Sequence, residues 1–232
     1  MKKTLTLIAA LLLTAATGIA QTINVHKTDG TVISYPAATV DYVDFSTSST
    51  DNVPDGVEAV DLGLPSGTKW ANMNIGASRP EESGDYFRWA ETTPFIEGDT
   101  YESYPYNGVD LGESIAGTKY DAATANWGTS WMMPTVYQMQ ELIDNCTFIR
   151  TTQNGVNGAK FTGPNGASIF FPASGCRSNS SGSLSYVGSI GYYWSASVYK
   201  GSYGHGLTFG SGYWRWSDFL RAYGFPVRAV AR

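Results

Sequence analysis

The stretch that decides the fold is residues 191–230, GYYWSASVYKGSYGHGLTFGSGYWRWSDFLRAYGFPVRAV. Glycine, serine and tyrosine dominate it, and tryptophans recur at Trp194, Trp214 and Trp216. Aromatic residues favour strands, whereas frequent glycine disfavours helix and supplies tight turns. We therefore predict short strands joined by turns, in which the tryptophans belong to the scaffold and residues 223–230 form a closing core strand.

The composition of the whole chain agrees with a β-rich domain. The 232 residues include 14% aromatics and 26 glycines. Only 15% are charged, against about a quarter in typical proteins. The formal net charge is -5, and lysine and arginine are scattered without a basic run. Because a nucleic-acid-binding domain needs a basic patch, no nucleic-acid partner is expected.

The first 20 residues have the pattern of a secretory signal peptide. Lys2 and Lys3 precede an apolar run over residues 5–16, and small residues at 18–20 suit cleavage after Ala20. The run is shorter than the roughly 20 apolar residues that span a bilayer. We therefore expect an exported protein, in the periplasm, at the cell surface or secreted, with no transmembrane segment after signal cleavage.

Two further segments follow the signal peptide. Residues 21–50 predict a small β-hairpin, with a turn at Asp29-Gly30, and a polar linker. Residues 58–232 predict the main domain, in which residues 92–125 resemble a long surface loop because they are rich in threonine, glycine, aspartate and tyrosine. The predicted class is α+β, β-rich with one or two helices, preceded by the hairpin.

One helix is indicated from Thr135 onward. Thr135 and Gln138 fit a capping box, in which each side chain pairs with a backbone amide of the first turn. Apolar residues then recur at helical spacing, at Val136, Met139, Ile143 and Cys146.

No arrangement of residues predicts catalysis. The two histidines, His26 and His205, stand beside no nucleophile motif. Acidic residues lie in loop-like segments without distinctive spacing, and no helical pattern follows the glycine-rich runs, as a phosphate loop would require. Asp110, Glu113 and Asp121 form only a weak calcium pattern. We therefore expect no catalytic residue, no metal and no cofactor.

The two cysteines, Cys146 and Cys176, leave two alternatives open. Export would permit a disulfide between them. Their spacing does not demand one, and two small buried side chains are the favoured alternative.

Four motifs resemble, in order, the Fibrobacter succinogenes major paralogous domain family as it occurs in proteins of Bacteroidales. They are VDLGLPSGTKWA at 60–71 with its continuation at 74–78 and 84–87, WMMPT at 131–135, GYYWSAS at 191–197 and YGFPVR at 223–228. The resemblance covers residues 58–230. It implies a non-enzymatic domain of C-type-lectin-like fold that displays its C-terminal region to a ligand. Pro226, Ala229 and Cys176 depart from the family's usual serine, proline and aromatic residue, and the last departure counts against the disulfide.

Some members of that family are the variable proteins of diversity-generating retroelements, in which template adenines are randomised, largely in asparagine codons. Relatives often carry asparagine at eight positions whose residues here can all arise from such a codon: Thr208, Gly210, Tyr213, Arg215, Ser217, Asp218, Phe219 and Leu220. Lys200 cannot arise in this way. The resemblance thus allows a hypervariable C-terminal surface.

The leading hypothesis is an exported ligand-binding protein whose partner is a protein or glycan on another cell, a phage or a host surface. Tyr213 and Phe219 would act as exposed aromatic anchors, with Arg215 and Asp218 tuning the choice of ligand. The predicted ligand-binding residues are Tyr203, His205, Thr208, Gly210, Tyr213, Arg215, Ser217, Asp218, Phe219 and Leu220. Residues 177–192 form a second candidate strip.

Two alternatives remain open. One is a structural subunit of a surface fibre or pilus, in which the hairpin adds a strand to a neighbour. The other is an enzyme related through its fold to formylglycine-generating enzymes, which would use reactive cysteines.

Overall fold

The computed structural model describes residues 22–26, 30–36 and 52–232. The chain divides into two compact units, Met1–Ser48 and Ser49–Arg232. The predicted class is confirmed, because the protein is α+β and β-rich with two α-helices among the described residues. The predicted signal peptide and most of the predicted linker lie outside the described residues.

The described part of the first unit is an antiparallel hairpin. Strand β1 (Thr22–His26) pairs with strand β2 (Val32–Pro36), with Thr22 opposite Pro36 and His26 opposite Val32. Val32 and Tyr35 are largely exposed on it. His26 therefore lies on a strand in the first unit.

In the second unit, residues 52–232 contain twelve strands, two α-helices and a short 3-10 helix, Tyr101–Ser103. The helices are α1 (Ala122–Trp127) and α2 (Val136–Asn145). The strands are β3 (Ala59–Asp61), β4 (Lys69–Ala71), β5 (Trp131–Met132), β6 (Thr147–Gln153), β7 (Val156–Thr162), β8 (Ser168–Pro172), β9 (Cys176–Arg177), β10 (Leu184–Ser185), β11 (Gly191–Lys200), β12 (Tyr203–Gly210), β13 (Tyr213–Leu220) and β14 (Val230–Ala231).

The twelve strands form four antiparallel sheets. One has the order β3-β4-β14-β5, so the end of the unit pairs beside its beginning. The others are β6-β7-β8, β11-β12-β13 and the small pair β9-β10. The predicted closing strand over residues 223–230 is only partly regular. Its first part is nonetheless extended and bonded on two sides, since Phe225 exchanges backbone hydrogen bonds with Phe87, and Trp194 N donates to Pro226 O.

Helix α2 begins as the sequence predicts. Thr135 Oγ1 accepts a hydrogen bond from Gln138 N at 3.3 Å, and Gln138 Oε1 accepts one from Thr135 N at 2.9 Å, which completes the capping box. The helix buries Met139 and Leu142 and ends at Asn145. The predicted start is therefore confirmed.

The two faces of the sheet β11-β12-β13 lie against different hydrophobic cores. Successive side chains on a strand point to opposite faces, so Tyr193 and Trp194 go to different cores. Core 1 includes Trp89, Trp127, Trp194 and Phe225. Core 2 includes Trp70, Phe161, Phe171, Tyr193 and Phe209. The sheet is therefore held from both sides, which fixes the strands that carry the predicted ligand-binding residues.

The two cysteines are free and belong to different cores, so the disulfide alternative is wrong. Cys176 packs in core 1 and Cys146 in core 2. Burial raises the pKa of each thiol to about 11. Because a thiolate is the reactive form of cysteine, both positions combine poor access with a low population of thiolate.

We expect both thiols to be protected in the native protein. At pH 8 a thiol-specific reagent should label the folded protein roughly a hundred times more slowly than the protein in concentrated urea, since burial and the raised pKa both oppose attack. The labelling rate is followed by absorbance, with Cys146→Ser and Cys176→Ser variants to assign each site. Complete labelling of the native protein within minutes would contradict the burial of these thiols and would revive the cysteine-enzyme alternative.

Candidate ligand-binding surface

The predicted ligand-binding residues divide between two faces of the sheet. Residues opposite each other in an antiparallel pair share a face, and β12 pairs with β13 from Tyr203 opposite Leu220 to Gly210 opposite Tyr213. One face carries Tyr203, His205, Asp218 and Leu220, and the other carries Thr208, Gly210, Tyr213, Arg215, Ser217 and Phe219. The ten predicted residues therefore do not form one surface.

We call the second group the tyrosine face, together with tyrosines that adjoin it. Tyr192 of β11 lies opposite Thr208, and its ring is 6.4 Å from that of Tyr186. Burial, with smaller contributions from Cys176, Tyr213, Tyr186 and Tyr223, raises the pKa of Tyr192 to about 12. Tyr223 joins it through Phe225, whose ring stacks on Tyr192 at 5.1 Å and on Tyr223 at 6.1 Å. The face thus consists of Tyr186, Tyr192, Thr208, Gly210, Tyr213, Arg215, Ser217, Phe219 and Tyr223.

The tyrosine hydroxyls of this face are free to bind. Elsewhere in the unit, the hydroxyls of Tyr86, Tyr104 and Tyr193 each donate to a backbone carbonyl. Among residues 52–232, the hydroxyls of the four tyrosines of the face have no such partner. Four aromatic rings with unengaged hydroxyls therefore gather at one side of the sheet.

Three predicted members of the face are more buried than expected. Thr208 is only 4% exposed, and Gly210 is buried. Phe219 packs edge-on against Tyr192 and Phe225, with ring centroids 5.5 and 5.0 Å apart. The expectation that Phe219 is an exposed anchor is therefore wrong, because its ring is part of the wall of core 1.

The Tyr213 ring lies against Gly210, in the space that a side chain at this position would occupy. A Cβ at Gly210 would lie 2.6 Å from that ring, which is closer than van der Waals contact permits. Tyr213 itself is 38% exposed. Gly210 therefore contributes to the face by leaving the space that the Tyr213 ring occupies.

Tyr186 is presented in a strained backbone conformation. Its φ is 61°, a left-handed value that is uncommon for a bulky residue. The carbonyl of Tyr186 accepts hydrogen bonds from Ser189 N and Ile190 N at 3.0 and 3.1 Å, and this turn maintains the conformation. The side chain remains 59% exposed. Strain of this kind is concentrated at functional sites.

Arg215 is the exposed cation of the face. Its guanidinium lies 5.5 Å from the centre of the Tyr213 ring, and no carboxylate of the described residues lies within 4.0 Å of it. Thr208, directly opposite on β12, has a buried Oγ1 without a hydrogen-bond partner in the described structure. A free cation thus stands beside an unsatisfied hydroxyl.

The opposite side, which we call the histidine face, comprises Tyr203, His205, Trp216, Asp218 and Leu220. His205 Nδ1 lies 2.8 Å from Asp218 Oδ1, yet the direction of this contact does not satisfy either atom as a hydrogen bond. We regard it as an electrostatic contact, since the distance is short and the geometry poor. Aromatic rings hold His205 edge-on, with Tyr199 at 5.3 Å and Trp216 at 5.2 Å.

The three tryptophans of the C-terminal stretch have different environments. Trp194 is fully buried, and Trp214 stacks on Phe148 at 5.5 Å, as scaffold residues do. Trp216 is 40% exposed, and its Nε1 donates to Gln140 Oε1 of α2 at 2.7 Å. The assignment of Trp216 to the interior scaffold is therefore wrong, because helix α2 covers only part of this face.

The candidate calcium ligands do not come together in a metal site. Asp121 is buried, and its carboxylate accepts hydrogen bonds from the backbone amides of Gly117, Ala123, Thr124 and Met133. Burial raises the pKa of this carboxyl, and the amides oppose the rise. Asp110 instead accepts from Gly112 N within its own turn. In the described ranges, no three histidine, cysteine or acidic side chains lie together as a metal site would require.

A separate open cleft of about 350 Å³ lies among the loops. It is lined by Ala90, Glu91, Thr92, Thr93, Pro105, Tyr106, Lys119 and Tyr120. Both oxygens of the Glu91 carboxylate are engaged by Arg88, at 2.6 and 2.8 Å. The cleft contains no residue of β11–β13, so this cleft and the predicted ligand-binding residues are distinct.

Within residues 22–26, 30–36 and 52–232, no helix is both long and apolar enough to cross a membrane. Comparisons of the chain with protein-family models, with curated proteins and with solved structures found no match.

Proposed function

We propose that this protein is an exported, non-enzymatic binding protein of C-type-lectin-like fold that engages a protein partner through the tyrosine face. The observation that carries the proposal is the gathering of four tyrosines with unengaged hydroxyls at one side of a sheet that also presents Arg215. Tyrosine offers a large contact area with few rotatable bonds and a polar tip, and arginine is likewise enriched in binding surfaces.

The support beneath this face is rigid, which favours binding. Two indole groups tie β11 to residues 87–89: Trp194 Nε1 donates to Phe87 O at 2.7 Å, and Trp89 Nε1 donates to Ser195 O at 2.9 Å. A surface that is ordered before the partner arrives loses little conformational entropy on binding. The proposed contacts are Tyr186, Tyr192, Tyr213, Arg215, Ser217 and Tyr223.

The face also limits diversification of the C-terminal residues. The proposed hypervariable set includes Tyr213, Arg215 and Ser217, whose substitution would change the exposed chemistry of the face. It also includes Gly210, where a side chain would collide with Tyr213. Sequences diversified at these positions should therefore change the exposed chemistry at Arg215, and a side chain at Gly210 should move the Tyr213 ring from its present position.

The test is a selection for binders against the full-length protein. A displayed library of random peptides is panned on it, and the recovered peptides are measured on variants by surface plasmon resonance. We expect Tyr186→Ala with Tyr213→Ala to weaken them about 10-fold or more, because aromatic anchors carry much of a binding energy. The matched control is Tyr137→Ala, since Tyr137 lies on α2 and is 82% exposed. Peptides whose affinity is unchanged by the double substitution would refute the proposal.

A second candidate function is the fibre or pilus subunit, and the hairpin favours it. Two-stranded hairpins are marginal in water on their own, and Val32 and Tyr35 are 49% and 46% exposed on this one. Strand addition to a neighbouring copy would cover them. Deletion of residues 21–50 should then reduce the mass measured in solution to that of a monomer, whereas a monomeric full-length chain would count against assembly.

A further inference from the structure

We infer that the tyrosine face recognises carboxylate groups, carried by acidic side chains of a protein partner. The inference rests on the proposed function and names the chemistry of its ligand. The face contains donors and no acid. Arg215 brings a guanidinium that no carboxylate of the described residues neutralises within 4.0 Å. The Tyr213 ring lies 5.5 Å from it, and the hydroxyls of Tyr213 and of the other three tyrosines of the face are unengaged.

A carboxylate matches this set of donors better than any neutral group. Guanidinium presents paired N–H groups that bind a carboxylate through two parallel hydrogen bonds, and charge assistance makes them strong. Tyrosine hydroxyls can donate to the remaining lone pairs. Elsewhere in the unit, the exposed Arg79 already has Glu82 at 2.8 Å. Arg215 differs because it lacks such a partner.

Thr208 provides an independent observation at the same place. It lies between Tyr192 on β11 and Arg215 on β13, and it is 4% exposed. Its Oγ1 is buried without a hydrogen-bond partner in the described structure. Buried hydroxyls are normally bonded, so this one is a donor that awaits an acceptor. An acidic oxygen that enters beside Arg215 would supply that acceptor.

The shape of the face favours a protein over a sugar. Small ligands bind in concave sites, and the 350 Å³ cleft lies among other residues. The tyrosine face is instead the side of a three-stranded sheet covered by rings. Nucleic acid is disfavoured, since the chain has a net charge of -5 and this face contributes one cation. The acid is therefore recognised locally, by Arg215 and its hydroxyl neighbours.

The test uses the same random-peptide library on the full-length protein. Peptides selected on the wild type should be enriched several-fold in aspartate and glutamate over the unselected library. Arg215→Gln should weaken them about 10-fold or more, and Arg215→Lys should weaken them less, because lysine keeps the charge and loses the paired geometry. Thr208→Val should weaken them several-fold without lowering the thermal midpoint, which separates a ligand contact from a structural role. Arg79→Gln is the control and should leave affinity unchanged.

Three other outcomes of these experiments would overturn, respectively, the carboxylate inference, the proposed function and the choice of a protein partner. Peptides that depend on Tyr186 and Tyr213 but have the library's content of acidic residues would overturn the carboxylate inference and leave the proposed function standing. Peptides that ignore both tyrosines would overturn the proposed function itself. If an array of sialylated and neutral glycans showed binding that required Arg215, while no peptide was selected, the ligand would be an acidic glycan and the choice of a protein partner would be wrong.

Discussion

Replacement of Arg228 by methionine should lower the free energy of unfolding by about 3 kcal/mol or more, because it leaves three buried acceptors without donors. Arg228 is fully buried. Its Nε donates to Asn74 Oδ1 at 2.7 Å, its Nη1 to Ala71 O at 3.1 Å and its Nη2 to Phe170 O at 2.9 Å. Each oxygen would lose its partner and stay in the interior.

The guanidinium is held without an acidic partner, which makes it an unusual structural cation. Burial lowers the pKa of Arg228 to about 10, so the group remains protonated at neutral pH. The charge is compensated by neutral oxygens and by the face of Phe171, 4.5 Å away. Because these partners come from β4, β8 and the segment after β4, a single side chain joins two sheets.

Urea unfolding followed by tryptophan fluorescence measures the effect. Arg228→Lys is the informative variant, since it keeps the charge but cannot reach three acceptors in a fork, and we expect it to recover only a minority of the loss. Arg215→Met removes an exposed arginine and should change stability by less than about 0.5 kcal/mol. A loss below about 1 kcal/mol for Arg228→Met would show that the three acceptors find water or other donors.

The sequence predicted the helices and strands whose capping residues, turns and apolar spacing lie within the element itself. Helix α2 was predicted because Thr135 and Gln138 cap it and its apolar residues have helical spacing. The strands β12 and β13 were expected in outline because glycine separates runs of aromatic residues. Helix α1 begins near the end of the predicted loop at 92–125 and was not predicted, because it has six residues and its start depends on Asp121, whose carboxylate also accepts a hydrogen bond from the distant Met133 N.

The burial of part of that predicted surface loop also could not be predicted from the neighbouring residues in the sequence. Phe95, Tyr104 and Ile115 are buried there, although the surrounding composition is polar. Arg88 accounts for much of this, since it donates to Thr100 O and Ser103 Oγ and lies 4.8 Å from the centre of the Phe95 ring. Such an anchor, distant from the residues it fixes, leaves no periodicity in the sequence.

The sequence also did not predict that the candidate ligand-binding residues lie on two faces of the sheet. A strand with one face in solvent alternates apolar and polar residues, but a strand buried on both faces does not. Tyr192 and Tyr193 are adjacent and chemically identical, yet Tyr193 donates to Pro172 O inside core 2 while Tyr192 belongs to the tyrosine face. Tyr186 and Tyr192 lie in the second candidate strip at 177–192, whereas Tyr223 was absent from the predicted ligand-binding residues, because only tertiary structure brings it to the Phe225 ring on which Tyr192 also stacks.

Phe219→Ala should mainly lower stability and Tyr213→Ala should mainly weaken binding, although the two residues share a strand and a face. Phe219 packs edge-on against Trp194 at 6.2 Å and against Phe225 at 5.0 Å. Its removal leaves a cavity at the edge of core 1, so we expect a loss of about 2–3 kcal/mol. Tyr213 is 38% exposed, and its removal should cost less than about 1 kcal/mol of stability.

Thermal unfolding followed by near-ultraviolet circular dichroism gives the stability of each variant, and the selected peptides give binding. Phe219→Leu is the matched control, because it keeps most of the buried volume and should recover much of the stability lost in Phe219→Ala. Tyr213→Phe tests the hydroxyl alone and should weaken binding without changing the unfolding midpoint. If both alanine variants lost the same stability, Tyr213 would be a scaffold residue like Phe219, and the ligand contacts of the face would have to lie at Tyr186 and Arg215.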